Sequence, residues 1–172
     1  MKRSLFMPLV AATMLIAGVA CAQDKKPASP PAKASETITS GATITINYSQ
    51  PSVKGRTIGK DLEPLPGKVW RTGANEATVF ETDKDITVEG QKLPAGKYGL
   101  FTIAGDQEWT IIFNKTWKQW GAFKYNEADD VLRVKVPVSK APAFTETFTI
   151  NIDKDGKVSL LWGDTKTDFA VK

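Results

Sequence analysis

Apolar and polar residues alternate with a period of two along most of the chain. Leu132, Val134 and Val136, for example, are separated by polar residues such as Arg133. Because successive side chains of a β-strand point to opposite faces of a sheet, this pattern indicates antiparallel strands with one buried face. No segment has the spacing of an amphipathic helix, and only residues 115–128 could hold a helical turn. The pattern therefore predicts an all-β fold.

Glycine, proline and aspartate separate the alternating runs at short intervals. Asp155-Gly156 is the strongest of these signals, because this dipeptide favours a two-residue hairpin turn with both φ angles positive. We predict about nine strands, at 42–49, 77–82, 85–88, 96–103, 108–114, 131–138, 145–153, 157–163 and 167–171. Such a series is typical of a single antiparallel β-sandwich, jelly-roll-like or immunoglobulin-like, although the pattern leaves the strand order open.

The first 22 residues have the three parts of a secretory signal peptide. Lys2 and Arg3 form a positively charged start, residues 5–19 are mostly apolar, and Ala20 and Ala22 supply the small residues of a cleavage site. The apolar stretch is shorter than the roughly 20 residues that cross a bilayer. We therefore expect cleavage after Ala22, a periplasmic or secreted protein, and no transmembrane span in the mature chain.

Cys21 offers an alternative, in which the chain is a lipoprotein anchored at this cysteine by acyl chains. Gly18 stands where such signals normally have a branched apolar residue, so we favour cleavage after Ala22. Residues 23–36 are rich in proline, lysine, alanine and serine without apolar periodicity, which predicts a disordered polar tether. The β-sandwich domain is then expected over 37–172.

The chain has no histidine, and its single cysteine precedes the predicted cleavage site. The expected mature protein therefore lacks the residues for Ser-His-Asp or Cys-His catalysis and for ordinary zinc, copper, haem and iron–sulfur sites. Loss of Lys2 and Arg3 from 23 basic residues, against 19 acidic ones, leaves a net charge of +2. We predict no cofactor, no metal site and no nucleic-acid partner, because nucleic-acid binding needs a concentrated basic face.

Residues 50–73 break the alternation and are rich in proline and glycine. A connection this long inside a compact domain tends to be functional or to cover a sheet edge. Its residues and those that follow bring cationic, amide and carboxylate side chains close together in sequence. The candidates for binding a polar or anionic ligand are Lys54, Arg56, Arg71, Asn75 and Glu76. The structural alternative is that Arg71 and Glu76 pair with each other.

A second candidate segment is the aromatic loop KTWKQWGAFKY. Its Trp117, Trp120 and Tyr125 could stack on sugar rings or on a partner, or could fold back as a lid over one end of the sandwich. Trp109 and Trp162 are in phase with apolar neighbours, so we expect them in the core.

Five ordered blocks, YSQPSVKGR, KVWRTGANEATVFET, LPAGKYGLFTI, EWTIIFNK and WGAFKYNEADDVLRV, are similar to successive blocks of the domain of unknown function 2911 family. The resemblance covers about residues 40–170 and implies an exported bacterial β domain with no known activity. It singles out Tyr48, Pro51, Lys54, Gly55, Arg56, Trp70, Arg71, Gly73, Asn75, Glu76 and Thr78.

Three hypotheses follow for the function. The first is a non-enzymatic cell-envelope module that binds a glycan or a small anion and has no catalytic residue. The second is a carboxylate-dependent hydrolase acting on glycans, in which Glu76 works with Asp129 or Asp130. The third is a structural or partner-binding protein without a small ligand, in which the same residues hold the long segment in place. The oligomeric state is left open.

Overall fold

The computed structural model describes residues 28–172 of the chain. The strands are β1 (Pro31–Thr37), β2 (Thr43–Ser49), β3 (Val69–Trp70), β4 (Thr78–Thr82), β5 (Ile86–Val88), β6 (Gln91–Leu93), β7 (Gly96–Ala104), β8 (Glu108–Asn114), β9 (Asp130–Ile152) and β10 (Lys157–Ala170). The only helical element among these residues is a short 3-10 turn at Glu127–Asp129. The prediction of an all-β fold is confirmed.

Within residues 28–172, no helix is long and apolar enough to span a membrane. The predicted signal peptide over 1–22, its cleavage site after Ala22 and the alternative anchor at Cys21 all lie outside the described residues.

The strands of the main sheet follow one another in chain order. Their spatial order is β1-β2-β4-β7-β8-β9-β10, and β3 pairs with β7 beside this path. Every neighbouring pair is antiparallel. This order is that of a meander, whereas jelly-roll and immunoglobulin sandwiches use Greek-key connections. Strands β5 and β6 form a separate hairpin, joined to the end of β10 by a bridge between Val88 and Val171.

The sheet curls so that its two halves face each other across one core. Tyr48 of β2 packs edge-on against Phe148 of β9, with ring centroids 5.8 Å apart. The Tyr48 hydroxyl also accepts a hydrogen bond from the backbone N–H of Ile150 at 3.0 Å. Because β2 and β9 are not neighbours in the sheet, these contacts join its two halves. The molecule is therefore a single antiparallel sandwich, as predicted.

One cluster of apolar side chains fills the space between the two halves. Trp109 and Trp162, predicted to be core residues, are only 5% and 2% exposed. Besides Trp162, the largest fully buried members of the cluster are Trp70, Phe80, Phe113, Phe148 and Phe169. Each large apolar side chain buried in this way stabilises the fold by about 1.5–3 kcal/mol.

Strands β9 and β10 are longer than the pattern predicted. The strands expected at 131–138 and 145–153 are one strand that pairs with β8 along its first part and with β10 along the rest. The intervening SKAPAF sequence does not alternate, because it lies where β9 passes from one half of the sandwich to the other. The break expected after residue 163 is a shift of register on either side of Gly163, which bends a strand without ending it.

Strand β1 occupies residues that were expected in the polar tether. It pairs with β2 along its whole length, with Pro31 opposite Ser49 and Thr37 opposite Thr43. The predicted tether over 23–36 therefore overlaps a strand, and residues 31–36 belong with the domain expected over 37–172.

The β9–β10 hairpin forms at the predicted turn, but with a different loop. The backbone N–H of Asp153 donates to the carbonyl of Lys157 at 2.9 Å, which leaves a three-residue loop. Only its last residue, Gly156, has a positive φ, of 86°. The two-residue turn with two positive φ angles occurs instead at Glu89 (47°) and Gly90 (77°), between β5 and β6.

Candidate functional site

The irregular segment between β2 and β3 is anchored to β9 and β10. Near its start, the backbone N–H of Val53 donates to the carbonyl of Glu146 at 2.9 Å. Farther along, the indole N–H of Trp162 donates to the carbonyl of Glu63 at 2.9 Å. Because both contacts are made to strands of the sandwich, the segment is held as part of the domain and forms one wall of a cavity.

This cavity lies at the surface, between the irregular segment and the turn that leads from β3 to β4. Its volume is about 270 Å³. Its lining residues are Ser29, Pro51, Arg56, Leu62, Glu63, Trp70, Arg71, Gly73, Ala74, Asn75 and Trp120. We call it the arginine cavity.

Two guanidinium groups and one carboxylate are the charged groups of the arginine cavity. Arg71 pairs with Glu63, with Nη1 and Oε2 2.8 Å apart, and not with Glu76, the partner that the sequence suggested. The buried Nε of Arg71 has no hydrogen-bond partner among the described residues. Arg56 donates from Nη2 to the carbonyl of Ser52 at 2.7 Å and from Nε to that of Val53 at 3.2 Å. The cavity wall therefore carries a net positive charge.

The turn between β3 and β4 has an unusual backbone. Thr72 and Asn75 have φ angles of 54° and 60°, in the left-handed region that residues other than glycine seldom adopt. The strain is offset by buried contacts, since the Thr78 hydroxyl donates to the carbonyl of Thr72 at 2.8 Å. The Asn75 amide donates to the carbonyl of Ser29 at 3.0 Å. Strained backbone of this kind is common at binding sites.

The aromatic loop is ordered and pairs with the same turn. The backbone N–H of Ala77 donates to the carbonyl of Gln119, and that of Gly121 donates to the carbonyl of Asn75, both at 2.9 Å. The side chain of Gln119, which is 7% exposed, donates to the carbonyl of Thr116 at 2.7 Å. These bonds hold the loop next to the arginine cavity.

Trp120 projects from this ordered loop and remains 62% exposed. It lines both the arginine cavity and a second cavity of about 370 Å³. The residues of the second cavity are Glu76, Ala77, Val79, Trp117, Lys118, Gln119, Trp120 and Lys124. Tryptophan combines a large apolar ring with a polar N–H group and is enriched at interfaces for this reason.

The structure brings most of the predicted site residues together. Arg56, Arg71, Asn75 and Trp120 line the arginine cavity, and Glu76, Trp117 and Trp120 line the second. Lys54 lies apart from both, with an exposed side chain and a backbone N–H that donates to the Glu146 carboxylate at 2.7 Å.

Tyr125 also lies outside both cavities, in a separate polar cluster. Its hydroxyl donates to Asp130 and accepts from Arg133, each at 2.7 Å. Burial and the hydrogen bond to Asp130 raise the pKa of Tyr125 to about 12. Its ring packs against Phe101 at a centroid distance of 5.1 Å, so its contacts are those of a structural residue.

Glu63 is the site residue that sequence reasoning did not find. It lies in the middle of the irregular segment and meets Arg71 only through the tertiary fold.

The carboxylates considered for catalysis lie in different surroundings. Asp130 bonds to Tyr125 and Arg133, whereas the second cavity, which Glu76 lines, has no aspartate in its wall. Among residues 28–172, no group of three or more potential ligands could hold a metal ion.

The fold and the site define an all-β sandwich domain with an arginine-lined surface cavity beside an exposed tryptophan. The chain belongs to the family described as protein of unknown function (DUF2911), whose model matches residues 29–171. This match confirms the resemblance carried by the five sequence blocks. No curated protein and no solved structure matches the chain.

Proposed function

We propose that the protein is a non-enzymatic binding module of the cell envelope that holds a polar ligand with an anionic group. The observation that carries the proposal is the pair of guanidinium groups, of Arg56 and Arg71, that line one cavity with only Glu63 to balance them. Guanidinium groups bind carboxylates and phosphates through two parallel N–H donors, a geometry that a lysine ammonium does not match.

The partners of the two arginines support binding of an anion. Arg71 is 23% exposed and only its Nη1 is paired with Glu63, so its guanidinium can still donate to a ligand in the cavity. Arg56 uses backbone carbonyls and no carboxylate as acceptors. Its positive charge is therefore not neutralised by an ion pair. An anionic ligand would supply the missing acceptors.

The aromatic wall favours a ligand that also has a flat or ring-shaped part. Trp120 presents an exposed ring at the rim of the cavity, and Trp70 is buried at its base, where its indole donates to the carbonyl of Gly73 at 2.9 Å. Sugars combine polar edges with apolar ring faces that pack on aromatic side chains. A glycan or another small ring compound with an acid group therefore fits this site best.

We further propose that the module works outside the cytoplasm. The three-part sequence of residues 1–22 supports export, with cleavage after Ala22 and lipidation at Cys21 as the alternative.

A thermal-shift screen of residues 23–172 tests the binding function. The panel holds soluble glycans, acidic sugars, organic acids and inorganic phosphate. A ligand at 100 times its dissociation constant adds about 2.7 kcal/mol to the free energy of unfolding, which raises the melting temperature by several degrees. We expect acidic compounds to give this shift. The proposal is wrong if no member of the panel does.

Matched substitutions in one loop locate the site. Arg56→Gln removes a charge that lines the cavity, whereas Lys54→Gln removes the same charge two residues away and outside it. We expect the ligand-induced shift to fall strongly in the first variant and to persist in the second. The measured quantity is the shift, so any effect of Arg56→Gln on the unliganded protein is subtracted.

The sign of the ligand charge is tested at Glu63. Glu63→Gln keeps the shape of the side chain and removes the carboxylate that competes for Arg71. An anionic ligand should then bind more tightly, because a repulsive charge has gone and Arg71 gains free donors. Weaker binding in Glu63→Gln would instead indicate a cationic ligand.

A further inference from the structure

The second cavity extends the proposed binding site beyond one ligand unit. Trp120 belongs to the walls of both cavities, so the two cavities adjoin each other at this side chain. Their volumes, about 270 and 370 Å³, are of similar size. A single small molecule bound in the arginine cavity would leave the second cavity empty.

The two cavities have the same balance of charge. In the first, Arg56 and Arg71 stand against Glu63. The charged residues of the second are Lys118, Lys124 and Glu76. Each cavity thus has two cations and one carboxylate, and this pattern occurs in two cavities that share an exposed tryptophan. A chain-like ligand with an acid group on each of its units would match these two positively charged cavities.

The second cavity also has an aromatic residue with a cation beside its ring. Trp117 is half-buried, and the ammonium of Lys97 lies 5.8 Å from the centroid of its ring. Lys97 is positioned in turn by Glu81, with Nζ and Oε2 3.2 Å apart. Two tryptophans of one loop therefore line the pair of cavities, Trp120 both of them and Trp117 the second.

We propose that the ligand is a linear acidic oligosaccharide whose successive sugar units occupy the arginine cavity, the face of Trp120 and the second cavity. This inference rests on the proposed binding function and identifies its ligand class. The carboxylate of Glu76 in the second cavity favours sugar over nucleic acid, because it can only accept hydrogen bonds when ionised and sugar hydroxyls donate them. A phosphodiester chain offers few such donors.

Calorimetric titration against ligands of increasing length tests this inference. The probes are oligogalacturonates, oligomannuronates and chondroitin sulfate fragments, each as one, two and four units, with cello-oligosaccharides and a six-residue oligothymidylate for comparison. We expect at least one acidic series to bind roughly ten-fold more tightly at four units than at one, since the second cavity adds contacts to the same molecule. Neutral oligosaccharides of equal length should bind much more weakly.

Variants assign the length dependence to the second cavity. The double substitution Lys118→Gln, Lys124→Gln should weaken binding of the four-unit ligand and leave that of the single unit unchanged. Trp120→Ala should weaken both, whereas Phe123→Ala in the same loop should weaken neither. Phe123 is a matched control because it is 86% exposed and lines neither cavity.

The outcomes separate this inference from the proposed function. Equal affinity for one and four acidic units would overturn the extended site and leave anion binding at the arginine cavity intact. Tighter binding of the oligothymidylate than of any sugar would overturn the ligand class. If no acidic sugar binds at any length, the oligosaccharide is excluded, and the thermal shift with phosphate or organic acids then decides whether the anion site remains.

Discussion

At the scale of single residues, two glycines in similar turns differ in how closely other atoms surround their backbone. Gly90 and Gly156 both lie in hairpin turns and both have left-handed φ angles, of 77° and 86°. A Cβ atom added at Gly90 would meet no atom within 4 Å, whereas one added at Gly156 would overlap the carbonyl oxygen of Val171. Gly156 is therefore required for close packing as well as for its backbone conformation.

The two alanine variants should differ strongly in stability. Gly90→Ala should lower the free energy of unfolding by about 1–2 kcal/mol, the cost of a left-handed residue with a side chain. Gly156→Ala should lower it by roughly 1–3 kcal/mol more, because the end of β10 must move to make room. Urea denaturation monitored by circular dichroism measures both values. Equal losses would show that the contact with Val171 is not tight.

At the scale of secondary-structure elements, β1 supports the candidate site from the edge of the sheet. It covers the otherwise open edge of β2, whose Ile44 and Ile46 are fully buried. The residues just before it also reach the site. The carbonyl of Ser29 accepts from Asn75, and that of Pro30 accepts from the backbone N–H of Gln50 at 2.9 Å.

Removal of β1 should therefore destabilise the domain. A chain of residues 38–172 loses the whole β1–β2 ladder and exposes the edge of β2, which favours association through unpaired strands. We expect a lower melting temperature and larger species in size-exclusion chromatography than for residues 28–172, which keep every described residue. If the two chains melt alike and stay monodisperse alike, the segment behaves as the tether that its composition predicted.

At the scale of the whole molecule, the domain depends on its core and not on covalent cross-links. The described residues contain no cysteine, so the sandwich holds together without disulfides. Its stability comes from the continuous core, to which both halves of the curled sheet contribute. A domain of this kind does not depend on the redox state of its surroundings.

Export makes a prediction about the mass of the mature protein. When the full chain is produced in a Gram-negative host, the intact mass should correspond to a chain that starts at Gln23, recovered from the periplasm or medium. Lipidation at Cys21 would instead add acyl mass and move the protein into the detergent phase, and Cys21→Ser should then abolish that shift. A cytoplasmic protein that still begins at Met1 would contradict export.

The sequence alone determined the features that depend on neighbouring residues. Alternation with a period of two assigned the faces of most strands, because each side chain's direction follows from its place in the strand. It did not reveal β1, since an edge strand whose side chains are only half-buried needs few apolar residues. The sequence also located the β9–β10 turn, although the actual loop has three residues.

Only the tertiary structure decided which side chains share a cavity. Glu63 meets Arg71, and Trp120 comes beside Asn75, through loops whose course is set by contacts with distant strands. Lys54 and Tyr125 are also residue types that bind polar ligands, but they lie outside both cavities. The backbone N–H of Lys54 donates to Glu146, and the hydroxyl of Tyr125 donates to Asp130. Loops have no periodicity from which a side chain's direction can be read, so residue type could nominate a binding residue and only the fold could place it.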